Sequence, residues 1–217
     1  MKNDRLGSTV LSVKIIANAD DALAKELNLG PNQKSLGIIT SDCDDVTYVA
    51  LDEATKKAAV DVVYAKSMYA GAANANTKLA GEVIGILAGP SPAEIRSGLD
   101  AAIEVIENGA SFYSANDDDS IVYFAHCVSR TGLHLSKEAN ISEGGAVAYL
   151  IAPPLEAIYA LDAALKAADV QMGVFYGPPS ETNFAGALLT GSQSACNAAC
   201  DAFAKAVQYV ADNPTGY

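Results

Sequence analysis

The sequence contains no Trp, and aromatic residues make up only 7% of its 217 positions. Charged residues are also scarce, at 18%, whereas half of the residues are hydrophobic and 40 are Ala. A chain this apolar and this poor in charge is not intrinsically disordered. Its core must be built from small side chains that let backbones approach closely, and its length suits one large or two small domains.

Basic residues are outnumbered, because 14 Lys and Arg face 26 Asp and Glu, and the formal net charge is −12. Binding to a phosphate backbone needs clustered Lys and Arg. The charge balance therefore argues against nucleic acid and anionic membrane as partners.

No segment has the pattern of a signal peptide or a membrane span. The first five residues are polar or charged apart from Met1, and no apolar run follows them. The longest charge-free stretch, 182–200, is rich in Thr, Ser, Asn and Gln, whereas a membrane span needs about 20 predominantly apolar residues. We therefore expect a soluble protein of the reducing cytoplasm.

Cysteine and histidine are too few and too scattered for a disulfide scaffold or a zinc site, and no CxxC pair occurs. His126 and His134 are the only histidines. Cys127 and His134 are either a nucleophile pair or, more simply, a core thiol and a surface imidazole. Cys196 and Cys200 share the apolar face of a predicted helix, where a thiol behaves as a small hydrophobe.

Two similar segments with helix-start signals lie 101 residues apart. Ser91 is a predicted N-cap, Pro92 is at the first helical position, and Glu94 completes a capping box; Gly109 ends the helix. Ser192 starts the second segment. Its apolar positions Cys196, Cys200, Phe203 and Val207 match Ile95, Leu99, Ala102 and Ile106.

Further matching pieces precede each of these helices. They are strand-like runs that end in Gly (82–89 and 187–191), Ala-rich helices that run into strands (57–64 and 166–176), and two more strand-like runs (46–50 and 147–151). Additional strands are predicted at 10–16, 35–39 and 120–128. This pattern predicts two divergent α/β units, in domains 1–110 and 111–217, with antiparallel or mixed sheets and helices on one face.

Acidic residues crowd the segment 41–45, between two predicted strands. One interpretation is a solvated turn. The other is a carboxylate patch for a small cation, in which Asp44, Asp45 and Glu82 hold an ammonium group through charge-assisted hydrogen bonds. The loops 70–78 and 177–183, rich in Gly, Asn and Pro, are the best candidates for exposed functional segments.

Segments 157–176 and 186–207 resemble bacterial microcompartment shell domains, with an A-x-D-x-x-x-K-A-A-x-V helix that enters a strand. Two such units in tandem resemble the circularly permuted tandem-domain shell proteins. The resemblance to the members from ethanolamine-utilisation compartments covers about residues 10–214. It is carried by segments 35–56, 62–73, 98–110, 128–132, 152–157, 178–183 and 189–196.

The resemblance implies an α/β (α+β) fold of two tandem ferredoxin-like, circularly permuted shell domains, and a structural protein that is not an enzyme. It implies a flat, pseudo-hexagonal homotrimer that tiles with other shell proteins in the bacterial cytoplasm. It also implies a gated central pore and smaller pores that pass ethanolamine to an encapsulated ethanolamine ammonia-lyase. No cofactor is required, and cobalamin or a metal ion as a pore ligand is left open.

The family's functional positions are carried over onto matching residues of this sequence. The ethanolamine-binding set is Asp44, Asp45, Glu82, Phe112, Thr182, Asn183 and Phe184. The carboxylates would bind the ammonium group of ethanolamine, and loop amides or carbonyls would bind its hydroxyl. The Phe112 ring would shape the wall of the site. The pore-loop set is Tyr69, Ala73, Asn74, Asn76, Ser180 and Glu181, with no catalytic residue and no metal ligand.

Two other functions fit the same residues. Repeated ferredoxin-like units also build trimeric regulatory proteins that bind small molecules, although this sequence lacks a basic phosphate-binding loop. A hydrolase or lyase could use Asp44, Asp45 and Glu82 as general acid and base, which requires strongly shifted pKa values in a buried cleft.

Overall fold

The computed structural model describes residues 1–67, 82–180 and 182–216. Its elements, in chain order, are β1 (Arg5–Leu6), β2 (Val10–Ile16), α1 (Asp21–Glu26), β3 (Ser35–Ser41), α2 (Asp44–Lys57), β4 (Asp61–Ser67), β5 (Val83–Gly89), α3 (Pro92–Glu104) with a π-helical turn (Val105–Gly109), β6 (Phe112–Ser114), β7 (Val122–Val128), α4 (Leu133–Glu138), β8 (Ala146–Ala152), α5 (Pro154–Ala167), β9 (Val170–Tyr176), β10 (Ala185–Gly191) and α6 (Gln193–Asp212).

The strands form two antiparallel sheets. The first has the order β2-β3-β5-β4 and the second the order β1-β6-β7-β8-β10-β9. We call the first sheet with α1–α3 the first unit, and the second sheet with α4–α6 the second unit. The repeated sequence pattern thus corresponds to two α+β units, as predicted. β1 joins the second sheet by pairing with β6, so the N-terminus crosses between the units.

One predicted strand is a helix. Residues 46–50 lie inside α2, and the true counterpart of β8 is β3. The β-branched residues of this segment favour a strand locally. However, Val46, Val49, Ala50 and Ala54 recur at helical spacing, and burial of that face decides the conformation.

The predicted helix starts are confirmed, with one correction. Ser91 accepts a hydrogen bond from the Glu94 N–H at 3.3 Å, and Ser192 accepts one from the Ala195 N–H at 3.1 Å. The Glu94 side chain does not close a capping box. It instead accepts a hydrogen bond from the Ala59 N–H at 2.7 Å and ties α3 to the end of α2.

Helices α2 and α3 cover one face of the first sheet, and one apolar core joins them to residues of the second sheet. Asp52 on α2, fully buried, accepts hydrogen bonds from the N–H groups of Gly132 (2.7 Å) and Leu135 (2.8 Å) at the start of α4. These bonds dock α4 of the second unit onto α2 of the first. The docking places the N-terminus of α2 against the face of β8.

Candidate functional site

Asp44 and Asp45 are the first two residues of α2, directly after β3 and the linking Asp42-Cys43 pair. Acidic side chains are favourable there because the N-terminus of a helix carries partial positive charge. The Asp45 N–H donates to the Asp44 carboxylate at 2.9 Å. Both residues are buried, at 4% and 5% exposure, so the solvated-turn interpretation is wrong for them.

Each carboxyl group has a hydroxyl donor from a different part of the fold. The Ser67 hydroxyl, at the end of β4, donates to Asp44 at 2.6 Å, and the Tyr48 hydroxyl lies 2.9 Å from the same serine oxygen. The Tyr149 hydroxyl, on β8 of the second unit, donates to Asp45 at 2.7 Å. The two units therefore meet at the carboxyl pair.

A cavity of about 490 Å³ opens beside these carboxyl groups, and we call it the inter-unit cavity. Its walls come from α2, β4, α4, β8, β9 and the loop after β9. The lining residues are Asp44, Asp45, Tyr48, Ala65, Ser67, His134, Leu135, Glu138, Tyr149, Ile151, Tyr176, Gly177, Pro179, Ser180 and Thr182. They include no Lys and no Arg among the residues that the structure describes.

Burial shifts the titration of the groups around the cavity. Desolvation raises the pKa of Asp44 to about 6. Desolvation, and then the charge of Asp44, raise the pKa of Asp45 well above its usual value, while the hydrogen bond from Tyr149 opposes this rise. Desolvation lowers the pKa of His134, which favours the neutral imidazole at pH 7.

Phe112, a predicted wall residue, is fully buried behind the cavity and is not in contact with its space. Its ring lies 5.3 Å from that of Phe124 and 6.1 Å from that of Phe184. The Phe124 ring in turn meets Tyr149 edge-on at 5.4 Å. Phe112 thus supports the carboxyl-binding tyrosine through a tilted and then an edge-on ring contact, with Phe124 between them.

The predicted loop residues after β9 divide between the cavity and its surroundings. Thr182 lines the cavity, Asn183 is exposed with a positive φ of 65°, and Phe184 is half-buried against Phe112. The Ser180 N–H donates to the Phe184 carbonyl at 2.8 Å, which folds this segment back on itself.

Glu82 is half-buried and immediately precedes β5. It does not line the described cavity, but the sheet register brings its backbone to the same end of the first unit. The next residue, Val83, pairs with Ser41 on one side and with Ser67 on the other. Since Ser67 binds Asp44, Glu82 is one residue along the chain from the β5 partner of the serine that holds this carboxyl group.

Only one of the predicted pore-loop residues can be placed. Ser180 lines the cavity beside Thr182. The others, Tyr69, Ala73, Asn74, Asn76 and Glu181, lie outside the described residues.

Sequence reasoning missed several residues of the cavity. Tyr48, Ser67, Glu138, Tyr149 and Tyr176 all line it. Tyr149 had a detectable signal, because its hydroxyl interrupts an otherwise apolar strand, Ala146–Ala152, in which every residue is buried. A buried hydroxyl needs a partner, and Asp45 is that partner.

The cysteine and histidine interpretations are partly corrected. His134 is half-buried in the cavity wall, and its ring lies 6.2 Å from that of Tyr48, so the surface placement is wrong. Cys127 packs against the core of the second unit, as its non-catalytic interpretation predicts. Cys196 and Cys200 are buried on the inner face of α6. Burial raises the pKa of Cys127 to about 11, which disfavours a thiolate nucleophile.

The arrangement can hold a small organic cation. Carboxyl groups next to an aromatic wall provide charge-assisted hydrogen bonds and cation–π contacts for an ammonium group. Within the described residues, no three Asp, Glu, His or Cys side chains converge as a metal site would require. None of the helices in the described part of the chain is long and apolar enough to cross a bilayer.

Comparisons with known proteins agree with this fold. The family model of the BMC domain matches residues 35–116. The chain is 72% identical to the bacterial microcompartment shell protein EutL of Clostridium perfringens over 217 residues, which is all of both chains. It superposes on the crystal structure of the ethanolamine utilisation protein EutL from Leptotrichia buccalis with a TM-score of 0.95 at 71% identity, again over both whole chains.

A more distant structure supports the tandem architecture alone. The crystal structure of a trimeric bacterial microcompartment shell protein, PduB, gives a TM-score of 0.76 at 17% identity, over 94% of this chain and 89% of that one. Buried carboxyl groups with raised pKa values are what the hydrolase or lyase alternative required, but the relatives are structural shell proteins and not enzymes. The chain belongs to the EutL family of shell proteins of the ethanolamine-utilisation microcompartment.

Proposed function

We propose that this shell protein forms a homotrimer whose three inter-unit cavities bind and pass ethanolamine, and whose centre is a gated pore. The observation that carries the ethanolamine assignment is the buried carboxyl pair, Asp44 and Asp45, in a cavity whose described lining has no Lys and no Arg. The ammonium would bind these carboxyl groups. The hydroxyl would meet the loop around Thr182, and Glu82 would approach from the start of β5.

The ethanolamine site is tested by removing its charges at constant shape. Asp45→Asn combined with Glu82→Gln should weaken ethanolamine binding at least tenfold by calorimetry, because each hydrogen bond to a charged group is worth about 1.5–3 kcal/mol. The matched control is Asp100→Asn with Glu104→Gln, two acidic residues on α3 outside the cavity. Unchanged affinity in the first variant would contradict the assignment.

A comparison of equivalent surfaces of the two units supports the proposed trimer. Helices α2 and α5 have the same length and correspond residue by residue. Asp45 and Val49 of α2 are buried, at 5% and 6% exposure, by the second unit. Their counterparts on α5, Leu155 and Tyr159, are 63% and 51% exposed. The outer face of α5 is therefore a largely exposed apolar surface, on which the Tyr159 ring stacks with that of Tyr209 on α6 at 6.0 Å.

The first sheet offers the matching surface. The strands β3 and β8 also correspond, and Ile38 stands where β8 has Tyr149. Ile38 is half-buried, and its neighbour across β5, Tyr64, is 41% exposed. The polar contact inside the chain, Asp45 with Tyr149, would thus be replaced between chains by an apolar contact of Leu155 with Ile38.

A head-to-tail contact of this kind generates a closed ring when its rotation permits, and six units, from three chains, form the proposed ring. Light scattering should give a mass near 67 kDa, three times 22.3 kDa. Leu155→Glu should dissociate the trimer, because it places a charge opposite Ile38. Met172→Glu, at an exposed apolar residue of β9, is the control. A trimer that survives Leu155→Glu would show that this face is not the interface.

The remaining parts of the proposal concern the larger assembly. The loops 70–78 and 177–183 would border the central pore, and the domains would divide at residues 110 and 111. The trimers would tile with other shell proteins around the encapsulated ethanolamine ammonia-lyase. Electron microscopy of concentrated protein should show hexagonal sheets, and discrete trimers that never tile would favour the regulatory-protein alternative.

A further inference from the structure

The inter-unit cavity holds two adjacent carboxyl groups, and no Lys or Arg lines it in the described part of the chain. Asp44 and Asp45 are each at least 95% buried, and their side chains lie within hydrogen-bonding reach of each other. Within residues 1–67, 82–180 and 182–216, the side-chain donors to the pair are neutral hydroxyls, from Ser67 and Tyr149. A neutral hydroxyl stabilises a carboxylate by much less than a buried positive charge does.

Among the residues that the structure describes, the groups that face the pair from the surrounding elements add no positive charge. Tyr48 on α2 and Tyr176 on β9 are phenols, and Glu138 on α4 is acidic. Burial lowers the pKa of His134 on α4, which favours its neutral form. Glu82, at the start of β5, is also acidic. No lysine or arginine lies among the described lining residues.

Two carboxylates side by side in such a place are strongly disfavoured. Removing an ionised group from water without a counter-charge costs several kcal/mol, and the second charge adds repulsion. Paired carboxyl groups in this situation retain one proton between them.

We propose that the Asp44–Asp45 pair shares a proton while the cavity is empty, and releases it when an ammonium ligand enters. Amine binding is then an exchange of one cation for another. The proposal rests on the ethanolamine site proposed above and concerns how that site is regulated.

The exchange balances without any further reactant. The ligand enters as R–NH₃⁺ and keeps its three protons. The O–H bond of the protonated carboxyl breaks, its electron pair stays on the carboxylate, and its proton leaves to water. The doubly ionised pair is then offset by the ammonium. A neutral alcohol or aldehyde brings no charge and cannot displace the proton, so the exchange also selects for amines.

The titration of the empty site supports this direction. Burial raises the pKa of Asp44 to about 6 and that of Asp45 well above its usual value, so the pair binds a proton in neutral solution. Since the ligand-bound site holds fewer protons, affinity must rise with pH until the empty pair ionises fully, by up to about tenfold per pH unit.

Calorimetry with ethanolamine counts the protons. Titrations of the full-length protein are run at about pH 6.5 in two buffers that differ in ionisation enthalpy, so the difference in heat gives the protons released. We expect close to one proton per ethanolamine bound, and a Kd that falls as pH rises. Binding with no difference between the buffers would overturn the exchange but leave the ethanolamine site standing. Absence of binding at every pH would overturn both.

Two variants and one measurement without ligand test whether the released proton comes from the Asp44–Asp45 pair and not from a general effect of charge on binding. Asp44→Asn removes the charge that adds to desolvation in raising the pKa of Asp45, so we expect fewer protons to be released than by the unchanged protein and the pH dependence to flatten. Asp100→Asn, an exposed residue on α3, should release as much as the unchanged protein. Infrared difference spectra of the empty protein should show a protonated carboxyl band at neutral pH that Asp45→Asn removes. A spectrum without that band would refute the shared proton directly.

Discussion

The contact between the two units depends on the absence of a side chain at Gly132. A Cβ added there would lie 2.6 Å from the Asp52 carbonyl oxygen and would overlap the Thr55 hydroxyl. The Asp52 carbonyl belongs to the backbone of α2 and cannot rotate away. Gly132→Ala must therefore push α4 away from α2, although the φ of Gly132, −87°, suits any residue.

The cost of Gly132→Ala can be worked from these contacts. Displacement of α4 stretches the hydrogen bonds from the N–H groups of Gly132 and Leu135 to Asp52, now 2.7 and 2.8 Å long. Overpacking costs about 1–3 kcal/mol, and weakened bonds to a buried charged acceptor add to it. We expect the free energy of unfolding to fall by about 2–4 kcal/mol.

Urea unfolding at one fixed protein concentration measures this loss, because the stability of an oligomer depends on concentration. Gly7→Ala is the matched control, since a Cβ at Gly7 meets nothing within 4 Å, and its effect should stay within about 0.5 kcal/mol. Ethanolamine affinity should fall in Gly132→Ala as well, because α4 carries His134 and Glu138 in the cavity wall. Equal stabilities for the two variants would refute the tight docking.

Three further predictions concern other parts of the chain. Phe112→Ala should lower the free energy of unfolding by about 3–5 kcal/mol in urea, because it empties a fully buried ring site; a loss below about 1 kcal/mol would contradict that packing. The folded pKa of Asp44, about 6, exceeds its ordinary value of 3.8, so its ionisation costs stability as pH rises through that window. Asp44→Asn should thus gain stability relative to the unchanged protein between about pH 4 and 6, by up to about 3 kcal/mol in thermal or urea unfolding, and a constant difference across that window would contradict the shift. Asn74→Pro, which restricts the backbone of the proposed pore loop, should change the proportion of open and closed pores in electron micrographs, and identical proportions would show that this loop is not the gate.

Local signals in the sequence were sufficient for much of the fold. The N-caps at Ser91 and Ser192 and the strand at 10–16 follow from side-chain chemistry within a few residues, and the structure has all three. Residues 46–50 could not be assigned this way, because the burial that makes them helical comes from packing against α3 and β5 of the first unit and α4 of the second. Tertiary contacts override a local strand preference there.

The site was harder to predict from the sequence, because contacts between distant parts of the chain form it. The carboxyl pair itself was identifiable from its acidic residues, but its partner Tyr149 lies 104 residues further along the chain. Nothing within one unit indicates that contact. His134 and Glu138 likewise reach the cavity only because Asp52 anchors the start of α4. The composition of a site between two units follows from how the units dock.

The two junctions between units carry different chemistry, and the difference has a physical reason. A buried carboxyl pair destabilises the contact that contains it. Inside one chain that cost is tolerable, because the covalent link keeps Asp45 and Tyr149 together at a high effective concentration. Between separate chains of the proposed trimer the same pair would weaken association. Leu155 stands at that position instead and would gain free energy by being buried. The amine site is thus expected once per chain, at the junction inside the chain. There the unfavourable free energy of the buried carboxyl pair does not weaken the association of chains into the trimer.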